Sequence, residues 1–202
     1  MSHVPHSDLF PENEWEYEDG WYTHRCPPAI PVLGRPDFVS CDPVGDGRGK
    51  EYAWQAWERI RTAHADQLRE SLVLALRNLS YRARECEASE EIWGSTVPIP
   101  LMVNTAEHIA ASVSEGLDLD ACPIVEEVMV TIPLQDNNPG RFIIAALTCQ
   151  DSQVEIEIVI YGEKAILAGE FSGIYARLEW SQGEKPFNSR TFKPEFAQHP
   201  YY

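Results

Sequence analysis

Residues 50–88 contain neither Pro nor Gly, and within them Ala53, Trp57, Ile60, His64, Leu68, Leu72, Ala75, Leu79 and Ala83 recur every three or four positions. That spacing puts them on one stripe of an amphipathic helix, which must bury the stripe against something else. The Asp46–Gly47 pair and Gly49 mark the loop before it. The pattern allows one continuous rod or a rod broken once. His64 falls on the stripe and is read as a hydrogen-bonded core residue. Trp54 and Trp57 lie at its edges, with core packing as their default role.

The partner for that stripe is expected in the C-terminal half. Val125–Ile132 is rich in β-branched residues, and Arg141–Cys149, Val154–Tyr161 and Lys164–Phe171 follow as apolar or alternating runs. Ile174–Trp180 is a possible fifth strand. Residues 135–140 form a turn cluster, and Gly162 with Glu163 reads as a tight turn. Such short connections imply an antiparallel meander. Glu155 and Glu157 share one strand face, expected to meet solvent or a partner, while the aliphatic face is covered by the long helix.

Between these halves, Pro98 and Pro100 mark a loop. Asn104, followed by Glu107, reads as the capping signal of a second helix ending near Gly116. The first 48 residues carry seven prolines, from Pro5 to Pro43, which exclude long helices there. They also hold Trp15, Tyr17, Trp21 and Tyr22, and Phe38–Cys41 is a candidate strand. The whole pattern predicts an α+β fold: an antiparallel β meander of four to five strands packed against one long amphipathic helix and a shorter second helix. Residues 1–48 pack on the body, 49–181 form the core domain, and 182–202 are a polar tail.

Charge constrains function more than any motif does. The chain has 32 acidic against 16 basic residues, a formal net charge of −16. Like charge repels nucleic acid and anionic membranes, and neither is an expected partner. No Lys or Arg occurs between Arg84 and Arg141, a stretch rich in Asp and Glu. The helical region is nearly balanced, and its Arg77, Arg82 and Arg84 are expected to pair with carboxylates elsewhere. Surfaces kept only for solubility usually intersperse both signs, so a one-signed stretch suggests a docking surface for a basic protein. The residues assigned to it are Glu87, Glu90, Glu91, Trp93, Glu115, Asp118, Asp120, Glu126, Glu127, Glu155 and Glu157.

Catalytic motifs are weak. The Gly45–Lys50 loop is one residue short of a phosphate loop, has Glu51 where Ser or Thr would hold magnesium, and contains the repelling Asp46. Asp42 and Asp46 are interrupted by Pro43 and Val44, unlike a calcium loop, and Asp118 with Asp120 is a short, common pattern. The six histidines show no metal spacing, and His24 beside Cys26 is adjacent in sequence only. The chain is therefore read as non-enzymatic, with no catalytic residue, metal or cofactor. No apolar run is long enough to span a bilayer, and the first residues lack a leader-like pattern. Five scattered cysteines without a Cys-x-x-Cys pair suit reduced thiols in a cytoplasmic protein. Oligomeric state stays open.

The layout is a Pro- and aromatic-rich start, a long amphipathic helix, a second helix and a C-terminal meander that includes Val154–Lys164. Over residues 35–180 it resembles small bacterial domains encoded beside polymorphic toxins. The resemblance implies an immunity or inhibitor protein that occludes a basic toxin, and it carries over no functional residue. Two alternatives stand beside it: a structural or assembly subunit of phage or secretion type, and an enzyme with a dispersed carboxylate and histidine site.

Overall fold

The computed structural model describes residues 9–43, 48–89, 97–133, 141–150 and 153–170. Among them, strands β1 (Glu16–Glu18), β2 (Trp21–His24) and β3 (Phe38–Cys41) precede helices α1 (Gly49–Arg61), α2 (Ala65–Ser89) and α3 (Ile99–Ser114). A 3-10 turn, Leu119–Ala121, then leads into β4 (Val125–Ile132), β5 (Phe142–Cys149), β6 (Glu155–Tyr161) and β7 (Lys164–Glu170). All seven strands join one sheet in sequence order.

The α+β class is as expected, but the sheet has seven strands and not four to five. The additional members come from the Pro-rich start, where β1, β2 and β3 form a small antiparallel set. Nor is the sheet a pure meander, because β3 runs parallel to β4, with Phe38 opposite Met129 and Cys41 opposite Ile132. A parallel pair needs a crossover, and all three helices lie in the chain between these two strands. The remaining pairs, β4–β5, β5–β6 and β6–β7, are antiparallel. Gly162 in the last turn has φ +65, the left-handed conformation that such a hairpin requires. Ile174–Trp180 and the tail 182–202 lie outside the described residues.

Of the two forms the 50–88 pattern allows, the rod broken once is the one found, as α1 and α2. At the break the Thr62 hydroxyl bonds back to the Glu58 carbonyl at 2.8 Å, competing with the helical ladder. The His64 amide donates not to the preceding turn but to the Glu163 carboxylate, 3.1 Å away in the β6–β7 turn. The ring of His64 also meets Glu163, at 2.7 Å, and its side chain is 81% exposed. His64 is therefore a surface junction residue and not part of the core. The other eight stripe positions are buried.

α3 starts five residues before the expected cap. Pro100 stands in its first turn, where its missing N–H costs nothing, and Asn104 is an exposed mid-helix residue. Gly116, at φ +101, follows the helix end.

One core unites these parts. Leu68, Leu72, Leu76, Met102, Ile109 and Val113 from the helices meet Val128, Val130, Ile143, Leu147, Ile156 and Ile158 from the sheet. Each such buried aliphatic side chain contributes about 1.5–3 kcal/mol. The start of the chain is pinned to α1 by aromatic contacts. Phe10 stacks on Tyr22 at 4.3 Å, and Trp15 meets Trp57 edge-on at 5.8 Å and His24 at 5.1 Å. Burial lowers the pKa of His24, against the opposing pull of the Glu14 charge.

Part of the opposite face of the sheet is also out of solvent. Phe142, Val159 and Ile166 form a second cluster, joined by Tyr161 and Leu167. Glu157 lies on this face at 3% exposure. It was expected to face solvent beside Glu155, and only Glu155 does so. Alternation placed the two carboxylates on one face correctly, but it carries no information about what covers that face.

Candidate functional site: an acidic rim at one end of the sheet

The strand register brings carboxylates together. Glu127 pairs with Thr148, and Thr148 pairs with Glu155. Directly opposed residues share a face, so the two carboxylates flank Thr148 across three strands, about 10 Å apart at the backbone. Glu126 is exposed beside them, at a register shift between Val125 and Glu127. Glu170 ends β7 at the same edge, opposite Ile156. The rim continues to β3 through Asp37, whose amide and carboxylate bond the carbonyl and amide of Val128 at 2.8 and 3.2 Å. Glu126, Glu127 and Glu155 form no ion pair among the described residues.

Other acids assigned to docking are occupied by the fold. Asp118 receives Arg69 Nη2 at 2.9 Å. Arg69 Nη1 also donates to the carbonyls of Val113 and Leu117, at 3.0 and 2.6 Å, so this side chain closes the C-terminus of α3. Asp120 accepts the Arg35 amide at 2.9 Å and fills the space beside Gly34, which sits at φ +75. Glu157 is buried, as described above. Glu87 on α2 and Glu115 after α3 are exposed, away from the strand register that builds the rim. Glu90, Glu91 and Trp93 lie outside the described residues.

The arginines of the rod neutralise part of the acidic stretch, as their number suggested. Arg84 meets Glu107 at 2.8 Å and Arg69 meets Asp118. Arg77 does not follow its neighbour: it lines a groove of about 470 Å³ with Asp66, Arg69, Glu70, Val73, Leu74 and Ser114. A smaller hollow of about 220 Å³ is lined by Asn104, Thr105, His108, Ile124, Cys149 and Gln150. Its thiol is not poised to react, because burial pushes Cys149 up to about 12. Burial likewise raises Cys41. No group of three His, Cys, Asp or Glu among the described residues has metal-holding geometry. Of the phosphate-loop reading, residues 44–47 lie outside the described residues, while Lys50 sits over the Tyr22 ring at 5.5 Å and Glu51 holds Arg48.

Sequence reasoning missed Asp37, Arg69 and Arg141. Arg141 is 1% exposed and donates through Nη1 to the Asp42 carbonyl, tying the start of β5 to the loop after β3. No local pattern marks such residues, because their partners are 44 to 99 positions away. Among the described residues no helix is long and apolar enough to cross a membrane. Comparison with known proteins gives no match to a family model, to a curated protein or to a solved structure.

Proposed function

We propose that this chain is a non-enzymatic acidic binding protein of the immunity or inhibitor class, occluding the active site of a basic protein. The observation that carries this reading is the strand register of Glu127, Thr148 and Glu155, with Glu126 beside them. It sets three carboxylates without ion-pair partners among the described residues on one rigid edge. Carboxylates held on strands of one sheet cannot spread apart, so they concentrate negative potential where a flexible acidic loop would disperse it. A cationic partner such as a nuclease gains on-rate and specificity from such a rim. Cytoplasmic residence belongs to the same reading, as does the absence of catalytic, metal and cofactor roles.

The test is binding to the protein encoded beside this chain, measured by interferometry at about 50 and about 300 mM salt. The expected result is at least about tenfold weaker binding at high salt, and a similar loss in the triple variant Glu126→Lys, Glu127→Lys, Glu155→Lys. Affinity indifferent to both changes refutes the electrostatic reading.

One observation favours the assembly-subunit alternative. Leu74 and Tyr81, two helical turns apart on α2, are 41% and 39% exposed, and Leu74 lines the larger groove. Such a stripe suits helix-to-helix association. A monodisperse monomer at about 100 µM in sedimentation removes that reading.

A further inference from the structure

The outer side of α2 carries a stripe that faces away from the core. Asp66, Glu70, Val73, Leu74, Arg77 and Tyr81 fall within about 100° of arc on a helix of ~3.6 residues per turn. Val73 is half-buried and the others are exposed. Leu68, Leu72, Leu76 and Leu79 occupy the opposite side and enter the core. Five members of the stripe, all but Tyr81, line the groove of about 470 Å³. Leu74 and Tyr81 therefore give water two large apolar surfaces on either side of an arginine.

The order of residues along the stripe selects what covers it. Asp66 and Glu70 come first, Val73 and Leu74 stand in the middle, and Arg77 and Tyr81 come last. Glu70 and Arg77 form no ion pair among the described residues, and seven positions set them about 10 Å apart along the axis. Reversing the stripe about the midpoint of Val73 and Leu74 brings Glu70 onto Arg77, Val73 onto Leu74 and Asp66 onto Tyr81. A patch with that property is complementary to its own two-fold copy, as an isologous contact requires.

We infer that α2 is the interface of a two-fold homodimer, in which the stripes of two copies pack antiparallel about an axis between Val73 and Leu74. Glu70 of each copy meets Arg77 of the other, giving two equivalent ion pairs across the axis. Leu74 of each copy packs on Val73 of the other and enters its groove. The Tyr81 rings close the two ends, each beside Asp66 of the other copy. The Tyr81 hydroxyl donates to Glu85 at 2.7 Å, which orients the ring before the copies meet. Parallel packing would set Glu70 against Glu70 and Arg77 against Arg77, and such like-charge contacts reject that arrangement. A uniformly basic or uniformly acidic foreign helix would meet one like charge on the stripe, so a second copy fits it better than either. The inference deepens the assembly reading and rests on it, and it uses no residue of the acidic rim.

Sedimentation equilibrium of the full chain at about 150 mM salt tests this, since repulsion between two copies is then screened beyond ~8 Å. A stripe about 22 Å long makes a small interface, so the expected dimer is weak, with Kd about 10–50 µM. Glu70→Arg and Arg77→Glu each place like charges at both crossings, and each is expected to weaken its homodimer at least about tenfold. Mixed together, the two single variants restore opposite charges at both crossings, and a heterodimer within about threefold of the native affinity is expected. Leu74→Asp, on the axis, is expected to abolish the dimer while circular dichroism stays native. A monomer at about 100 µM overturns both this inference and the assembly reading. A dimer that Glu70→Arg, Arg77→Glu and Leu74→Asp leave intact overturns the inference alone. Single charge variants that weaken the dimer and do not associate with each other also overturn it, because only the antiparallel crossing predicts their mutual rescue.

Discussion

Replacing Arg69 by Met separates a structural arginine from a mere ion pair. The guanidinium makes three bonds, to the Val113 carbonyl at 3.0 Å, the Leu117 carbonyl at 2.6 Å and Asp118 at 2.9 Å. A hydrogen bond from a charged donor contributes about 1.5–3 kcal/mol. Here the site is open on one side, with the Arg69 and Asp118 side chains 21% and 44% exposed, so water recovers part of each loss. Met keeps the aliphatic stem and removes only the charged head. The expected cost is about 2–3 kcal/mol for Arg69→Met. Asp118→Asn, which removes only the half-exposed ion pair, costs about 0.5 kcal/mol. Urea unfolding followed by tryptophan fluorescence reads both values, and the thermal midpoint of Arg69→Met falls by about 5–10 °C. If Asp118→Asn is as costly as Arg69→Met, the carbonyl contacts contribute nothing and the helix-closing role is refuted.

Two further outcomes are expected. A Cβ added at Gly34 lies 1.7 Å from Asp120 Oδ1, at φ +75, so Gly34→Ala displaces Asp120 and strains the backbone. The cost is about 2–3 kcal/mol in chemical denaturation, of which about 1 kcal/mol is relieved when Asp120→Ala accompanies it; strict additivity of the two changes contradicts this account. The His64–Glu163 contact is pH-dependent. Hydrogen bonding to Glu163 raises His64 above 6.5, so its contribution is present below that value and is lost as pH rises through the folded pKa. The bond to His64 lowers Glu163 below 4.5, so its contribution is present above that value and is lost as pH falls through the folded pKa. The stability difference between the native chain and Glu163→Gln is therefore largest between 4.5 and 6.5 and shrinks above neutrality. A difference that stays flat from about pH 5 to about pH 8 excludes the coupling.

Local pattern revealed the elements whose information is local. The period of the 50–88 stripe located α1 and α2, and β-branched runs located β4 to β7, within one or two residues. The Gly162 turn was equally plain. The start of α3 was misplaced because Asn104 and Glu107 imitate a cap, while Pro98 and Pro100 read as loop residues although the first turn accepts proline. For the site, the excess of carboxylates between residues 85 and 136 was legible, and their disposition was not. Whether Glu126 lacks an ion pair among the described residues while Asp118 closes against Arg69 depends on where a distant arginine reaches, and no spacing rule contains that distance.

By itself, the sequence determined the helix stripe, the strands of the C-terminal half and the sign of the surface potential. Those follow from periodicity and composition, which act between near neighbours or on the chain as a whole. Tertiary structure alone decided the rest. It recruited the Pro-rich start as three strands, set β3 parallel to β4 across a three-helix crossover, and broke the rod where Glu163 captures the His64 amide. It also chose which face of β6 leaves water, and so divided two glutamates of one strand into a buried one and an exposed one. Burial is a property of what lies opposite a residue in space. A strand's own sequence shows which residues share a face and cannot show what that face meets.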